Sequence, residues 1–248
     1  MNFRIDHHNK ILTVLHCLNS DVLENGFAYF GGGSVLALDF DEYRWSRDID
    51  FISEVGTEGY KYLRTLVFDN GYEALFSDLS KIQIGRITTD QYGIRINIVV
   101  NDTPIKTEII AENRFQLDSP RYPSWSPVPC LSLNDCFTSK LLANSDRYID
   151  KSIESRDLID LAVLRLQSPI PQSAIDKAEK AYEVIRPLKR AIELFQEKPE
   201  YRQKCYQGLQ VNQNWIPKII DGIDLLADYF GLPNTQRVFK EQHDIFTD

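Results

Sequence analysis

Asp48-Ile49-Asp50-Phe51 is the quartet of this chain with the clearest chemical content. Read as a strand, it places Asp48 and Asp50 on one face and Ile49 and Phe51 on the other. Aspartate is depleted in strands, and two of them on one face of an otherwise apolar strand repel each other. A divalent cation removes that repulsion. Carboxylate oxygens are the preferred ligands of Mg²⁺, which usually completes its shell with water and substrate phosphate. The same quartet also fits an exposed edge strand carrying two solvated acids. Upstream, Phe30-Gly31-Gly32-Gly33-Ser34 lies between a short predicted strand and a short predicted helix. Glycine lets backbone approach a ligand closely, and the free N–H groups of a helix start are a natural phosphate seat. The run has neither the spacing of the dinucleotide fingerprint nor the Lys-Ser/Thr of a P-loop. Downstream, Glu108 is an acid within Ile105-Lys106-Thr107-Glu108-Ile109-Ile110. If that strand lies beside the Asp48–Asp50 strand, three carboxylates converge. Otherwise Lys106 and Glu108 are an ordinary surface face.

Gly-Gly-Gly-Ser, then thirteen residues, then Asp-Ile-Asp-Phe, then a later strand acid together resemble the nucleotidyltransferase superfamily of the DNA polymerase β type. The finer match is to its AbiEii/AbiGii toxin family. The family's Gly-Gly-x-x-Leu turn corresponds to Gly32-Gly33-Ser34-Val35-Leu36, and its Arg-x-Ser-x-Asp-Ile-Asp-Phe run to Arg44-Trp45-Ser46-Arg47-Asp48-Ile49-Asp50-Phe51. A lysine on a later helix matches Lys140, and an Arg-Asp-x-x-Asp-Leu helix matches Arg156-Asp157-Leu158-Ile159-Asp160-Leu161. The resemblance runs over residues 25 to 167, and Trp45 stands where the family has an aliphatic residue.

The resemblance implies a Mg²⁺-dependent enzyme that moves a nucleoside monophosphate from an NTP to a hydroxyl, acting as the toxin of a toxin–antitoxin or phage-defence pair. The acceptor it implies is RNA, such as a tRNA 3′ end, or a protein side chain, and a cognate antitoxin is an expected partner. Asp48, Asp50 and Glu108 would hold two Mg²⁺ ions, with Glu108 helping to deprotonate the nucleophile. Gly32, Gly33 and Ser34 would bind the β/γ phosphates. Lys140 would add a point charge to the triphosphate, or else lay its stem along the apolar face of Leu133, Cys136 and Phe137. Asp160, one turn into an apolar helix, is assigned a site role in positioning Lys140 or the acceptor. Asp157 could instead favour the positive helix start. Arg44 and Ser46 would touch phosphate or cap their loop. The alternative is a catalytically silent nucleotide-binding or protein-interaction module of the same fold, which the complete acid set disfavours.

These residues need elements to hold them. Helical spacing of apolar positions covers 10 to 23, strands are predicted at 28–30 and 48–52, a short helix at 34–38, and a helix at 58–70. Three strands follow near 81–89, 94–100 and 104–110, with Asn101-Asp102 as a hairpin turn. Residues 119 to 129 hold four prolines and read as an extended connector. Beyond it the pattern is helical: 132–145, 155–167, 172–197, 213–230 and 234–245, with Asn134-Asp135 and Ser155 as helix starts and Gly231 with Pro233 as a stop. The expected class is α+β: a nucleotidyltransferase-like mixed sheet with flanking helices in 1–118, a connector at 119–131, and a helical domain over 132–248 that completes the active site.

Composition bounds the rest. The chain has 248 residues, 43% of them hydrophobic and 26% charged, which excludes a mostly disordered chain. A net charge of −8 argues against broad coating of nucleic acid, which needs many cations. A local basic stretch remains, because residues 177 to 204 hold eight Lys/Arg against five acids. It reads as a solvated helix face or as a surface for RNA. Four cysteines without a Cys-x-x-Cys pair argue against a zinc site or a disulfide framework. No apolar run reaches the length of a membrane span, and His7 and His8 fall where a signal peptide would have its apolar core. A cytoplasmic protein is therefore expected. The histidines are read as surface or satisfied core residues.

Overall fold

The computed structural model describes residues 2–242. The chain divides into two units, Met1–Glu42 with Ser46–Cys136, and Tyr43–Trp45 with Phe137–Asp248.

The first unit is built on a five-stranded mixed sheet. Its elements in chain order are α1 (Asp6–Cys17), α2 (Ser20–Asn25), β1 (Ala28–Gly31), α3 (Gly32–Asp39), β2 (Ile49–Glu54), α4 (Gly59–Asn70), β3 (Gln83–Thr89), β4 (Gly93–Val100) and β5 (Thr103–Glu112). The strand order is β1-β2-β5-β4-β3. β2 and β5 are parallel, and every other neighbouring pair is antiparallel. Alternation decides the faces: Ile94, Ile96 and Ile98 of β4, Ile105 and Ile109 of β5, and Ile49 and Phe51 of β2 are all buried. Asn101 and Asp102 both take positive φ, +46° and +60°. That is the conformation a two-residue hairpin turn requires, and it pairs Val100 with Thr103.

The helix expected over 10–23 is broken in two. Asn19 is the reason: its side chain accepts from the Val22 N–H at 3.2 Å and starts α2 as an N-cap. The proline-rich stretch is not helical, but it folds back on itself instead of running extended: Arg121 and Cys130 exchange backbone hydrogen bonds at 2.9 Å around a turn in which Ser126 N–H donates to Pro123 O at 2.9 Å, and its end is bound to the edge of β1. Phe30 N–H donates to Pro129 O at 2.8 Å, and Leu131 N–H donates to Phe30 O at 2.9 Å.

The helical elements are α5 (Leu133–Arg147), whose first turn belongs to the first unit, then α6 (Arg156–Gln167), α7 (Gln172–Glu179), α8 (Ile185–Glu197), α9 (Pro199–Gly208) and α10 (Ile216–Tyr229). α6 and α10 pack so closely that a Cβ on Gly222 would lie 2.3 Å from the Ala162 carbonyl oxygen.

Three helical expectations are corrected. Residues 172–197 form α7 and α8 rather than one helix, because Pro187 is tolerated in the first turn of a helix but not in an interior. The Glu179 carboxylate closes the break by accepting from the N–H groups of Val184 and Ile185 at 2.8 and 3.1 Å. In 234–242 only the single turn Phe239–Glu241 is helical. The buried Arg202 guanidinium claims this segment, donating to Gln236 O at 2.9 Å and to both Glu241 carboxylate oxygens at 2.7 and 2.8 Å. Residues 243–245 of that expected helix, His243 included, lie outside the described residues. Finally, α5 starts before Asn134: Ser132 Oγ accepts from the Asp135 N–H at 2.9 Å. Ser155 precedes α6 with φ +50° and no capping bond, its hydroxyl being bonded to that of Tyr201 at 2.9 Å.

All four cysteines are buried, and none is in a disulfide. Among the described residues no helix is long and apolar enough to cross a membrane.

Candidate functional site

In the first unit one row of residues crosses the sheet. Gly31 on β1 faces Asp50 on β2, Asp50 faces Glu108 on β5, and Glu108 faces Arg95 on β4. Residues paired across neighbouring strands share a face. Asp50, Glu108 and Arg95 therefore project to one side, opposite the buried Ile49, Phe51 and Ile109. Asp48 lies one residue before β2 and is half-buried, as is Asp50.

The glycine turn closes on this row. Gly32 opens α3 with φ +69°, and a Cβ there would stand 2.4 Å from Asp50 Oδ2. Only glycine gives both that backbone conformation and that approach. Gly33 follows in the first turn of α3. Ser34, buried in the same turn, donates to the Asp48 carbonyl oxygen and is hydrogen-bonded to the Ser46 hydroxyl at 2.8 Å. Its hydroxyl thus ties the helix start to the backbone of the acid pair. Ser46 is buried, and its N–H donates to His8 Nε2 at 3.2 Å. With Nε2 accepting, His8 Nδ1 carries the proton and donates to Glu42 Oε1 at 2.8 Å. Glu42 also accepts from the N–H groups of Arg4 and Ile5 at 2.7 and 2.9 Å. Burial raises its pKa and these donors overcome that, so the carboxyl sits below its usual range. His8 is therefore a satisfied core histidine that braces Ser46.

Glu108 stands beside Asp50 but not free. Arg95 Nε donates to Oε1 at 3.0 Å, and Lys106 donates to Oε2. Among the described residues no group of three or more acidic, histidine or cysteine side chains is close enough to hold a metal ion. The donor chemistry still suits Mg²⁺: Asp48 and Asp50 are hard oxygen ligands two residues apart, with backbone of Gly32 against one of them.

Lys140, Asp157, Asp160 and Arg44 belong to the second unit and form a buried network there. Asp160 receives Arg44 Nε and Nη2 at 2.7 and 2.8 Å and the Tyr43 hydroxyl at 2.5 Å, and lies 2.6 Å from Lys140 Nζ. Asp157 receives Arg147 through Nε and Nη2 at 2.6 and 2.9 Å, and Lys140 Nζ at 3.3 Å. Burial pushes both carboxyls toward the neutral form. The cations outweigh it, Arg44 then Lys140 at Asp160 and Lys140 then Arg147 at Asp157, so both are held below the usual carboxylate range. Arg44, expected on phosphate or as a loop cap, is thus bidentate on Asp160. Lys140, expected on triphosphate, is buried between two aspartates. Asp157, expected at the helix start, does lie in the first turn of α6, and it is buried there.

The basic stretch is partly neutralised from within. Arg186 pairs with Glu183 and Arg190 with Glu193, and Arg202 is buried on Glu241. Lys198 and Lys204 line a cavity of about 440 Å³ with Lys151, Glu154, Glu200, Tyr201 and Cys205.

Sequence reading missed Tyr43, Arg147 and Arg95. Arg95 was open to detection as the polar member of an alternating Ile-Arg-Ile strand, but its partner depends on the register of β4 and β5.

JHP933 from Helicobacter pylori is 14% identical, with 84% of this chain and 95% of that chain covered and a TM-score of 0.38. An antigenic nucleotidyltransferase-like protein from Paracoccidioides brasiliensis is 12% identical, with 82% and 94% covered and a TM-score of 0.38. A comparison with curated proteins returns no match. The family model described as nucleotidyl transferase AbiEii toxin, type IV toxin–antitoxin system, matches residues 13–206. The chain, most of which lies within that match, belongs to the AbiEii family of nucleotidyltransferase toxins.

Proposed function

We propose that the chain transfers a nucleoside monophosphate from an NTP to a hydroxyl on RNA or protein, with Mg²⁺ held at Asp48 and Asp50, as the toxin of a pair with a cognate antitoxin. The observation that carries this reading is the contact of Gly32 with the Asp50 carboxylate, in the same sheet row as Glu108. It brings a phosphate-seating helix start against the acids. The backbone N–H groups of Gly32 and Gly33 are the donors for the β/γ phosphates. The Ser34 hydroxyl fixes the Asp48 backbone, and Ser46 with His8 fixes Ser34.

In the reaction the acceptor oxygen bonds to the α-phosphorus while the bond from that phosphorus to the bridging oxygen breaks and pyrophosphate leaves. Bound Mg²⁺ supplies neutralisation of the phosphate charge and acidification of the attacking hydroxyl. The proton passes to a carboxylate. Glu108, beside Asp50 in the sheet row, is the carboxylate assigned to that step. Arg44, Lys140 and Asp160 are assigned to holding together the 43–45 segment, α5 and α6 of the second unit.

Labelled NTPs incubated with the protein, Mg²⁺, total RNA and total protein extract test the reading. Label is expected in RNA or in a protein, and its absence from both overturns the reading. Label that persists in the Asp48→Ala/Asp50→Ala double variant removes the assigned site. Gly32→Ala is expected to lose about 1 kcal/mol of stability from its left-handed backbone. It should lose roughly a hundredfold in transfer, because the Asp50 carboxylate must shift to admit the methyl group. Transfer within a factor of about two of wild type would mean that this approach is not needed.

A further inference from the structure

Both oxygens of the Glu108 carboxylate are occupied, and the two cations that occupy them are held in different ways. Arg95, on Oε1, has a second anchor: Nη1 donates to Asp90 Oδ2 at 3.0 Å. Asp90 is itself fixed in the turn before β4, its Oδ1 accepting from the N–H groups of Tyr92 and Gly93 at 2.7 and 3.1 Å. Lys106, on Oε2, has Glu108 as its one partner among the described residues. Its side chain is 57% exposed, against 39% for Arg95. Arg95 is thus built into the sheet, whereas Lys106 is a flexible ammonium on one exposed contact, the weakest kind of ion pair.

Charge explains why a cation stands there. Asp50 and Glu108 are direct partners on neighbouring strands, and like charges so placed destabilise a sheet. Lys106, two residues before Glu108 on the same face of β5, offsets that repulsion. We propose that Lys106 is a displaceable stand-in for a divalent cation: it neutralises Glu108 Oε2 in the metal-free chain and gives up that oxygen when a dication enters at Asp48 and Asp50. Arg95 keeps Oε1 throughout and so aims Oε2. The exchange lets two register partners, Asp50 and Glu108, face one dication. It also makes Lys106 a competitor of the metal. The inference rests on the reading of Asp48 and Asp50 as metal ligands.

The test is titration of the full chain with Mn²⁺ alone, free Mn²⁺ being read by electron paramagnetic resonance. Lys106→Met is expected to bind Mn²⁺ roughly fivefold more tightly than wild type, the scale of an exposed ion pair. Lys106→Arg, which keeps a cation, should bind no more tightly than wild type. Arg95→Gln removes the same charge while leaving Lys106 in place, and its affinity should not rise. Damage to the fold does not produce a gain in affinity, so the readout separates exchange from instability. Equal tightening by Lys106→Met and Arg95→Gln would mark a general field effect and overturn the proposal. Unchanged or weaker binding by Lys106→Met, with binding lost in Asp50→Asn, would overturn the exchange and leave the metal site standing. No saturable Mn²⁺ in either wild type or Lys106→Met, or binding that survives Asp50→Asn, would overturn both.

Discussion

Asp50→Asn is expected to lower nucleotidyl transfer by roughly a thousandfold or more, the several kcal/mol that a metal-bound phosphate charge is worth in the transition state. The substitution keeps the shape of the side chain and removes its charge. The fold should tolerate it. Asp50 is half-buried beside Glu108, and Ile49 and Phe51 on the opposite face carry the packing. A same-shape change at a half-buried position should move stability by no more than about 1 kcal/mol. The expected signature is therefore a dead enzyme with a nearly unchanged melting temperature. Measurement of kcat/KM at saturating Mg²⁺, alongside a thermal melt, gives both numbers. Residual activity within about tenfold of wild type would show that the carboxylate does not carry metal in the transition state.

The second large effect is on stability. Asp160→Asn removes the charge that two buried cations share, because Arg44 is bidentate on it and Lys140 Nζ lies 2.6 Å away. Losing one partner of a buried ion pair leaves charge uncompensated, and the cost is about 3–5 kcal/mol. The loss should appear as a lower denaturant midpoint. A change below about 1 kcal/mol would mean that water reaches Arg44 and Lys140 once the carboxylate is gone.

The same carboxylate gives a pH dependence with a definite sign. Its folded pKa is depressed, because Arg44 and then Lys140 outweigh the effect of burial. Its contribution to stability is therefore complete above the unfolded aspartate value of about 4 and is lost as pH falls through the lower folded value. Wild type should lose stability in acid below about pH 4 more steeply than Asp160→Asn does.

Much of the first unit was legible in its residues. The alternation Gly-Ile-Arg-Ile-Asn-Ile-Val-Val has period two and can bury one side only as a strand, and β4 is that strand. Asn101-Asp102 accept positive φ, and the hairpin turns there. Asp48 and Asp50, read as a strand, had to share a face, whereas the close approach of Gly32 to Asp50 was visible only in the fold. Local chemistry was also enough to limit the helices, but only when every signal was weighed. Asn19 and Pro187 end the longer helices expected at 10–23 and 172–197, one by capping and one by lacking an N–H.

What a period cannot supply is the partner of a polar residue. Lys140, Arg44 and Asp160 carry no mark that distinguishes a phosphate ligand from a buried ion pair, since both uses require the same charge. The answer depends on Tyr43 and Arg44 reaching an aspartate that is 116 residues from Arg44. Likewise, the acid on β5 was expected to join the pair on β2, and the register does set Glu108 beside Asp50. That same register sets Arg95 on its other side. Sequence alone determined which residues are acidic and which face of each strand is apolar, because these follow from bond geometry and hydrophobicity within a few residues. Tertiary structure decided which charges meet, because strand order and helix packing pair residues across long stretches of chain, and only that pairing sets whether a carboxylate is offered to a cation from solution or already holds one from the protein.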